Sequence, residues 1–457
     1  MAGLSETPRG SRLAIGLFGR RNVGKSSLLN VLTHQARAVV SRTPGTTTDP
    51  VYQAMELHDI GPVLFIDTAG FDDDAAELGA LRLRETERAA READLALVLF
   101  PPVAVARDAL ECAWARRLRQ AGKAVLAVVS QTDTLADGGR ARAAEVARAL
   151  AADVAEADSK TDAGKEDAAD ADGTASAGGK NGGQARTVRK KEPPPVLCVS
   201  VKEERGLEKL RRALARLVPP DFGQRPLTEG LCEAGDVVLL VMPQDREAPK
   251  GRLILPQVQT IRELLDRRVS IVACQTEDMA ATLARLREPP QLIITDSQAF
   301  RAVHALAPAA SRVTSFSVLF AAQKGDLDYF LAGARALLAL APGAPAHILI
   351  AEACTHHPIA EDIGRVKIPR LLRKRLGEGI QIDVVSGRDF PANLKEYTLM
   401  IHCGSCMFNR SYVLSRVAEA RAAGVPMTNY GLAIAALLGI LPDVALPGAA
   451  GESKTTR

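Results

Sequence analysis

Short aliphatic and β-branched runs alternate along this chain with longer stretches whose apolar positions recur every three or four residues. Continuous or alternating apolar runs of roughly four to eight residues predict strands, and the longer period predicts helices, so the whole chain reads as α/β. A first block predicts strands at 13–18, 51–57, 62–67, 95–100, 124–130 and 195–199. A second predicts strands at 236–242, 270–274, 291–295 and 313–320, the last leading through Lys324-Gly325-Asp326 into a helix near 326–340. A break at Ala341–Pro345 precedes a third block, with strands near 347–353, 380–385 and 397–402.

The pattern fails at 153–192, where Ala, Asp, Gly, Lys and Glu leave almost no large apolar side chain. Such a stretch cannot bury enough surface to offset its ordering entropy and reads as a disordered insertion. Strand character returns at Val196–Val201, so the insertion lies inside the first domain. The Pro-containing stretch Val218–Pro226 is the first linker expected. Three α/β blocks follow from this division.

Composition narrows the class. The 457 residues are 47% hydrophobic and 25% charged, ordinary for a globular protein, and at 4% aromatic the cores must be aliphatic. A net charge of +4 neither requires nor excludes nucleic-acid binding. The apolar run Leu13–Phe18 is too short for a signal peptide, and Pro442 and Asp443 break the late apolar stretch Gly431–Ala449, so a cytoplasmic protein with no membrane partner is expected. Of seven cysteines, Cys112, Cys198, Cys232 and Cys274 are scattered and read as small buried apolar residues.

Two clusters carry chemistry. Gly19-Arg20-Arg21-Asn22-Val23-Gly24-Lys25-Ser26 follows a predicted strand and opens a predicted helix, the setting of a phosphate-binding loop. Gly19, Asn22, Val23, Gly24, Lys25, Ser26 and Ser27 form the expected phosphate-binding set. Lys25 reaches the β- and γ-phosphates, and the Ser26 hydroxyl binds Mg²⁺. Pro44-Gly45-Thr46-Thr47-Thr48-Asp49 then reads as a switch loop in which one Thr ligates Mg²⁺. Asp67-Thr68-Ala69-Gly70 ends the strand Val63–Ile66, where Asp67 holds Mg²⁺ through water and the Gly70 N–H faces the γ-phosphate.

The second cluster is Cys354-Thr355-His356 and His402-Cys403-Gly404-Ser405-Cys406, each at the carboxyl end of a predicted strand, with His357 adjoining. Carboxyl-end loops of an open parallel sheet converge on one crevice. Three chemistries fit: a structural zinc site, a Cys-x-x-Cys redox pair, and an iron–sulfur cluster on three thiolates. Spacing alone does not separate iron from zinc. The basic face Arg370–Leu376 reads as a solvated helix face before it reads as a docking surface.

Gly45-Thr46-Thr47-Thr48-Asp49 and Asp67-Thr68-Ala69-Gly70-Phe71 resemble the TrmE–Era–EngA group of GTPases. The resemblance implies that Thr47 ligates Mg²⁺ and that Lys25, Thr47 and Gly70 are catalytic. It puts Phe71 where other GTPases carry a catalytic Gln, and it implies that Asn22 helps bind K⁺. Where that group has Asn-Lys-x-Asp this chain has Ser130-Gln131-Thr132-Asp133, leaving Asp133 to read guanine, with Ser200 and Lys202 in the approximate place of the second base element.

Cys-x-His, a long gap and His-Cys-x-x-Cys behind such a GTPase resemble the HydF family of [FeFe]-hydrogenase maturation GTPases, from about residue 10 to 440 without the insertion. The resemblance implies a GTP-binding domain at 1–222, a dimerisation domain at 223–324 and a cluster-binding domain at 325–457. It implies a [4Fe–4S] cluster on Cys354, Cys403 and Cys406, with His356 and His402 as exchangeable ligands or orienting groups. A transient di-iron precursor is the implied cargo, and radical S-adenosylmethionine maturases, apo-[FeFe]-hydrogenase and a second copy of the chain are the implied partners. A GTPase of RNA modification or ribosome assembly with a structural zinc site is the competing reading. It predicts an RNA-binding module such as a KH-type Gly-x-x-Gly loop between helices within a basic domain, and the pattern after residue 222 shows no such loop between helices.

Overall fold

The computed structural model describes residues 7–33, 50–71, 76–103, 106, 109–152, 192–220, 222–223, 225–243, 253–353, 362–387 and 390–448. Thr47, Cys354, His356 and the insertion apart from residue 192 lie outside the described residues. The chain divides into two compact units, Met1–Phe222 and Gly223–Arg457.

The first unit runs β1 (Leu13–Phe18), α1 (Lys25–Leu32), β2 (Val51–Leu57), β3 (Gly61–Asp67), α2 (Ala76–Glu92), β4 (Leu95–Phe100), α3 (Leu110–Gln120), β5 (Ala124–Val129), α4 (140–152), β6 (Val196–Cys198) and α5 (Leu207–Leu217). Its six-stranded sheet has the order β2-β3-β1-β4-β5-β6, parallel except for β2. β1 and β4 are buried at every position, as parallel strands covered on both faces must be. Their side chains alternate between two cores. Leu13, Ile15 and Leu17 pack with Leu28, Leu29 and Leu32 of α1, whereas Ala14 and Phe18 pack with Trp114 and Leu118 of α3. The chain moves to opposite sides of β1 to form β3 and β4, so the loop after β1 opens at the point where strand order reverses.

The second unit runs β7 (Val237–Val241), α6 (Leu255–Asp266), β8 (Ser270–Cys274), α7 (Met279–Leu283), β9 (Leu292–Thr295), α8 (Phe300–Leu306), β10 (Arg312–Ser315), α9 (Phe316–Lys324), α10 (Leu327–Ala339), β11 (His347–Glu352), α11 (Ile368–Leu376), β12 (Gln381–Ser386), β13 (Leu399–His402), α12 (Arg410–Ala423), β14 (Met427–Asn429) and α13 (Tyr430–Leu437). Two parallel four-stranded sheets result, β10-β9-β7-β8 and β12-β11-β13-β14. One core spans both, joining Ile293, Phe300 and Val318 to Leu349, Met400 and Leu432. α10 lies so close to β14 that a Cβ on Gly333 would sit 2.1 Å from the Met427 carbonyl oxygen.

Two local readings change. The strand expected over 313–320 stops at Ser315, whose hydroxyl accepts from the Val318 N–H and caps α9. Phe316, Val318, Leu319 and Phe320 are all buried in that helix, and a short apolar run carries no period that separates a buried helix from a strand. The three-residue strand β14 is too short to show in the pattern.

Candidate functional sites

The first site forms where β1 and β3 end side by side, with Leu17 paired to Asp67. Asn22 and Gly24 adopt left-handed backbone, with φ of 58° and 96°, which curls the loop around the start of α1. The Lys25 ammonium is buried inside the loop and donates to the Gly19 and Arg20 carbonyls at 2.9 and 2.8 Å. Ser26 donates its hydroxyl to Asp67 Oδ2 at 2.5 Å. The other carboxylate oxygen, Oδ1, is buried with no hydrogen-bond partner among the described residues. Burial raises the Asp67 carboxyl above its usual range, opposed by the Ser26 hydrogen bond and the Lys25 charge. A divalent cation at Ser26 and Asp67 would occupy the open oxygen and compensate the buried charge, so the residues present fit Mg²⁺.

Thr68 donates to the Leu17 carbonyl at 2.6 Å and anchors the Asp67–Gly70 turn to β1. Phe71 stacks on Trp114 at 5.6 Å, and Trp114 stacks on Phe18 at 5.9 Å. The side chain in the catalytic Gln position thus packs against aromatic rings.

Sequence reasoning missed how Ser130 and Gln131 are used. Ser130 Oγ lies 2.7 Å from the Val23 carbonyl, and Gln131 Nε2 donates to the Asn22 carbonyl at 2.8 Å. The pair therefore ties the loop after β5 to the Gly19–Ser26 loop. Ser200 donates to Asp133 Oδ1 at 2.9 Å, which brings those two candidates together, while Lys202 is exposed.

The second site opens at the end of the second sheet where strand order reverses, between β11 and β13. Ala351 pairs with His402 there, and the Ala353 N–H donates to Cys403 Sγ at 3.1 Å. His402 is 1% exposed, and both its ring nitrogens are engaged. Arg416 Nη1 lies 3.0 Å from Nε2 and can only donate, so Nε2 accepts and Nδ1 donates to the Cys403 carbonyl at 2.7 Å. Burial, and then the Arg416 charge, push the imidazole down to about 3 and keep it neutral. Both ring nitrogens of His402 are thus engaged by neighbouring groups of the chain.

Burial pushes the Cys406 thiol up to about 11, with the Lys324 charge acting against it. The Tyr430 hydroxyl is buried near Cys403 with no hydrogen-bond partner among the described residues, and burial and then the Cys403 charge raise its pKa. Two thiols, a buried hydroxyl and two buried cations, Lys324 and Arg416, suit an anionic thiolate-bound cluster. The six described cysteines are free thiols. Among the described residues no helix is long and apolar enough to cross a membrane.

Residues 14–131 match the family model of the 50S ribosome-binding GTPase, residues 227–325 that of the hydrogen maturase F dimerization domain, and residues 328–446 that of the hydrogen maturase F tetramerization domain. The chain is similar to the tRNA modification GTPase MnmE of Methylobacterium sp. (strain 4-46), 43% identical over 107 residues, 22% of this chain and 24% of that protein. GTPase Der of Thioalkalivibrio sulfidiphilus is 40% identical over 122 residues, 26% of this chain and 25% of that one. The chain thus spans about a quarter of the length of these curated relatives. Among solved structures, an Aquifex aeolicus Era variant bound to GDP and AlF4⁻ is similar at 17% identity and a TM-score of 0.31, over 57% of this chain and 92% of that one.

Proposed function

This chain belongs to the HydF family, and on that premise we propose that it is a GTP-hydrolysing scaffold and carrier for [FeFe]-hydrogenase maturation. In this reading the 1–222 domain binds GTP, the 223–324 half dimerises, and the 325–457 half holds a [4Fe–4S] cluster on Cys354, Cys403 and Cys406. A di-iron precursor arrives from radical S-adenosylmethionine maturases, is completed on the scaffold and passes to apo-hydrogenase. The matched dimerization and tetramerization models support an oligomer.

At the nucleotide site water attacks the γ-phosphorus and the bond to the β–γ bridging oxygen breaks, giving GDP and phosphate. Lys25 neutralises the β- and γ-oxygens, and the Gly70 N–H donates to the γ-phosphate. Ser26, Thr47 and Asp67 would hold Mg²⁺, which when bound supplies positive charge to the phosphate oxygens. With Phe71 packed on Trp114, that side chain orients no water. Asn22 would help bind K⁺, which takes the part of an arginine finger.

At the metal site Cys354, Cys403 and Cys406 would hold the cluster through their thiolates, and the cluster when bound would supply iron to which the precursor can attach. His402 and Arg416 orient the loop from within, and His356 is the candidate exchangeable histidine. The observation that carries the reading is the match of residues 227–325 and 328–446 to the hydrogen maturase F dimerization and tetramerization models.

Anaerobic reconstitution followed by electron paramagnetic resonance and metal analysis tests it. Wild-type protein should carry a [4Fe–4S] signal, lose it with any one of the three Cys→Ala changes, and, once loaded with precursor, activate apo-hydrogenase. Stoichiometric zinc without iron uptake, or activation by the triple Cys variant, overturns the carrier role.

A further inference from the structure

The loop that carries Cys403 and Cys406 is tied from outside as well as by its own Phe408 N–H to Ser405 carbonyl bond of 3.0 Å. Ser405, 2% exposed, adopts left-handed backbone at φ 47°, unfavourable for a residue other than glycine. What closes on this loop comes from the other sheet's last helix. Lys324, the final residue of α9, is 5% exposed, and its ammonium donates to the carbonyls of Ser405 at 3.2 Å, Cys406 at 2.9 Å and Phe408 at 2.8 Å. An ammonium has three donors, and here three loop carbonyls receive them.

The seam is reciprocal. Arg410, just after the loop, donates to the Gln323 and Gly325 carbonyls at the end of α9, at 2.8 and 2.9 Å. At the other end of α9, Asn429 donates to the Ser317 carbonyl at 2.8 Å and the Gly431 N–H to the Ser317 hydroxyl at 3.1 Å. Only the Lys324 end reaches the cysteine loop. Ser317 lies seven residues earlier, about 10 Å along the helix axis.

We propose that Lys324 is a positioning residue of the metal site: it fixes the Cys403–Cys406 loop and places a buried positive charge beside the cluster. The redox half of this inference rests on the cluster reading above; the clamp does not. A fixed cation next to a thiolate-bound cluster stabilises its more negative, reduced form and raises its potential. The link also makes the cluster site sensitive to the half of the unit that carries α9.

The test compares Lys324→Met, Lys324→Gln and the control Ser317→Ala in the full chain. On metal-free protein, amide hydrogen exchange over 403–408 should rise in both Lys324 variants and stay at the wild-type rate in Ser317→Ala. After reconstitution with iron and sulfide, Lys324→Met should release iron to a chelator about 10- to 100-fold faster, the range seen when groups supporting metal ligands are removed. Its midpoint potential should move negative. Lys324→Gln retains an amide donor for the loop, so it guards against loss of folding, and it should show the same direction of potential shift. Wild-type exchange over 403–408 in a folded Lys324→Met protein, which keeps no donor for the loop, overturns the clamp. Wild-type iron retention and potential in both Lys324 variants overturns the role at the metal site. A wild-type protein that takes up no cluster overturns the reading above, while the exchange measurement still decides the clamp.

Discussion

Ser26 and Asp67, 41 residues apart, meet through a 2.5 Å hydrogen bond at the mouth of the first sheet. The serine opens α1 and the aspartate ends β3, so the pair exists only because β1 and β3 are neighbours in register. Lys25→Ala and Ser26→Ala should each lower GTP turnover at least about 100-fold, as loss of a transition-state charge partner does. Cluster iron should stay at the wild-type level, which metal analysis of the same samples checks. Turnover of wild type should be slow, and faster in K⁺ than in Na⁺. Equal rates in the two salts remove the K⁺ role of Asn22.

Base choice should rest on Asp133, held by Ser200. Asp133→Ala should weaken GTP binding about 10- to 100-fold, the loss of hydrogen bonds to a charged group, and bring GTP and ATP affinities together. Gln131→Ala should act less strongly, by releasing the Asn22 carbonyl. Fluorescent-nucleotide titrations give both affinities. Equal binding by wild type and Asp133→Ala rules this residue out as the reader.

Trp114 is the only tryptophan in the chain and stacks against Phe71, next to the Asp67–Gly70 turn. Nucleotides that differ in the γ-phosphate should therefore change its emission. Phe71→Ala should abolish the difference between GDP and a non-hydrolysable GTP analogue. It should also cost about 0.5–1.5 kcal/mol of stability beyond lost burial, the contribution of an aromatic pair.

Burial, and then the Arg416 charge, hold the His402 imidazole down to about 3 in the folded protein, against an ordinary 6.5. A depressed value means that the unfolded chain binds the proton more tightly. The stabilising contribution is therefore complete above pH 6.5 and is lost as pH falls toward 3, with a size on the order of a few kcal/mol. Urea melts between pH 7 and pH 4 should show this slope, and His402→Gln should flatten it. At neutral pH His402→Leu should cost about 1–3 kcal/mol, because Arg416 then loses a buried acceptor. Parallel pH profiles for the two proteins count against a buried neutral imidazole.

Local order in the chain already carried the α/β alternation and the phosphate-binding loop at Gly19–Ser26, because backbone period and glycine spacing are properties of neighbouring residues. The Cys-x-His and His-Cys-x-x-Cys spacings are likewise visible in the chain as local motifs. Packing decided the rest. Phe316–Lys324 is helical because Ser315 caps it and its apolar side chains are enclosed, a choice that a short apolar run leaves open. His402 is neutral and fully engaged because α12 sets Arg416 against it. Lys324 is joined to the cysteine loop through backbone carbonyls, and a carbonyl is present at every residue, so no pattern of side chains could announce the bond. Residue types set what each group can do; which groups meet was settled by strand order and by helices brought together across dozens of intervening residues.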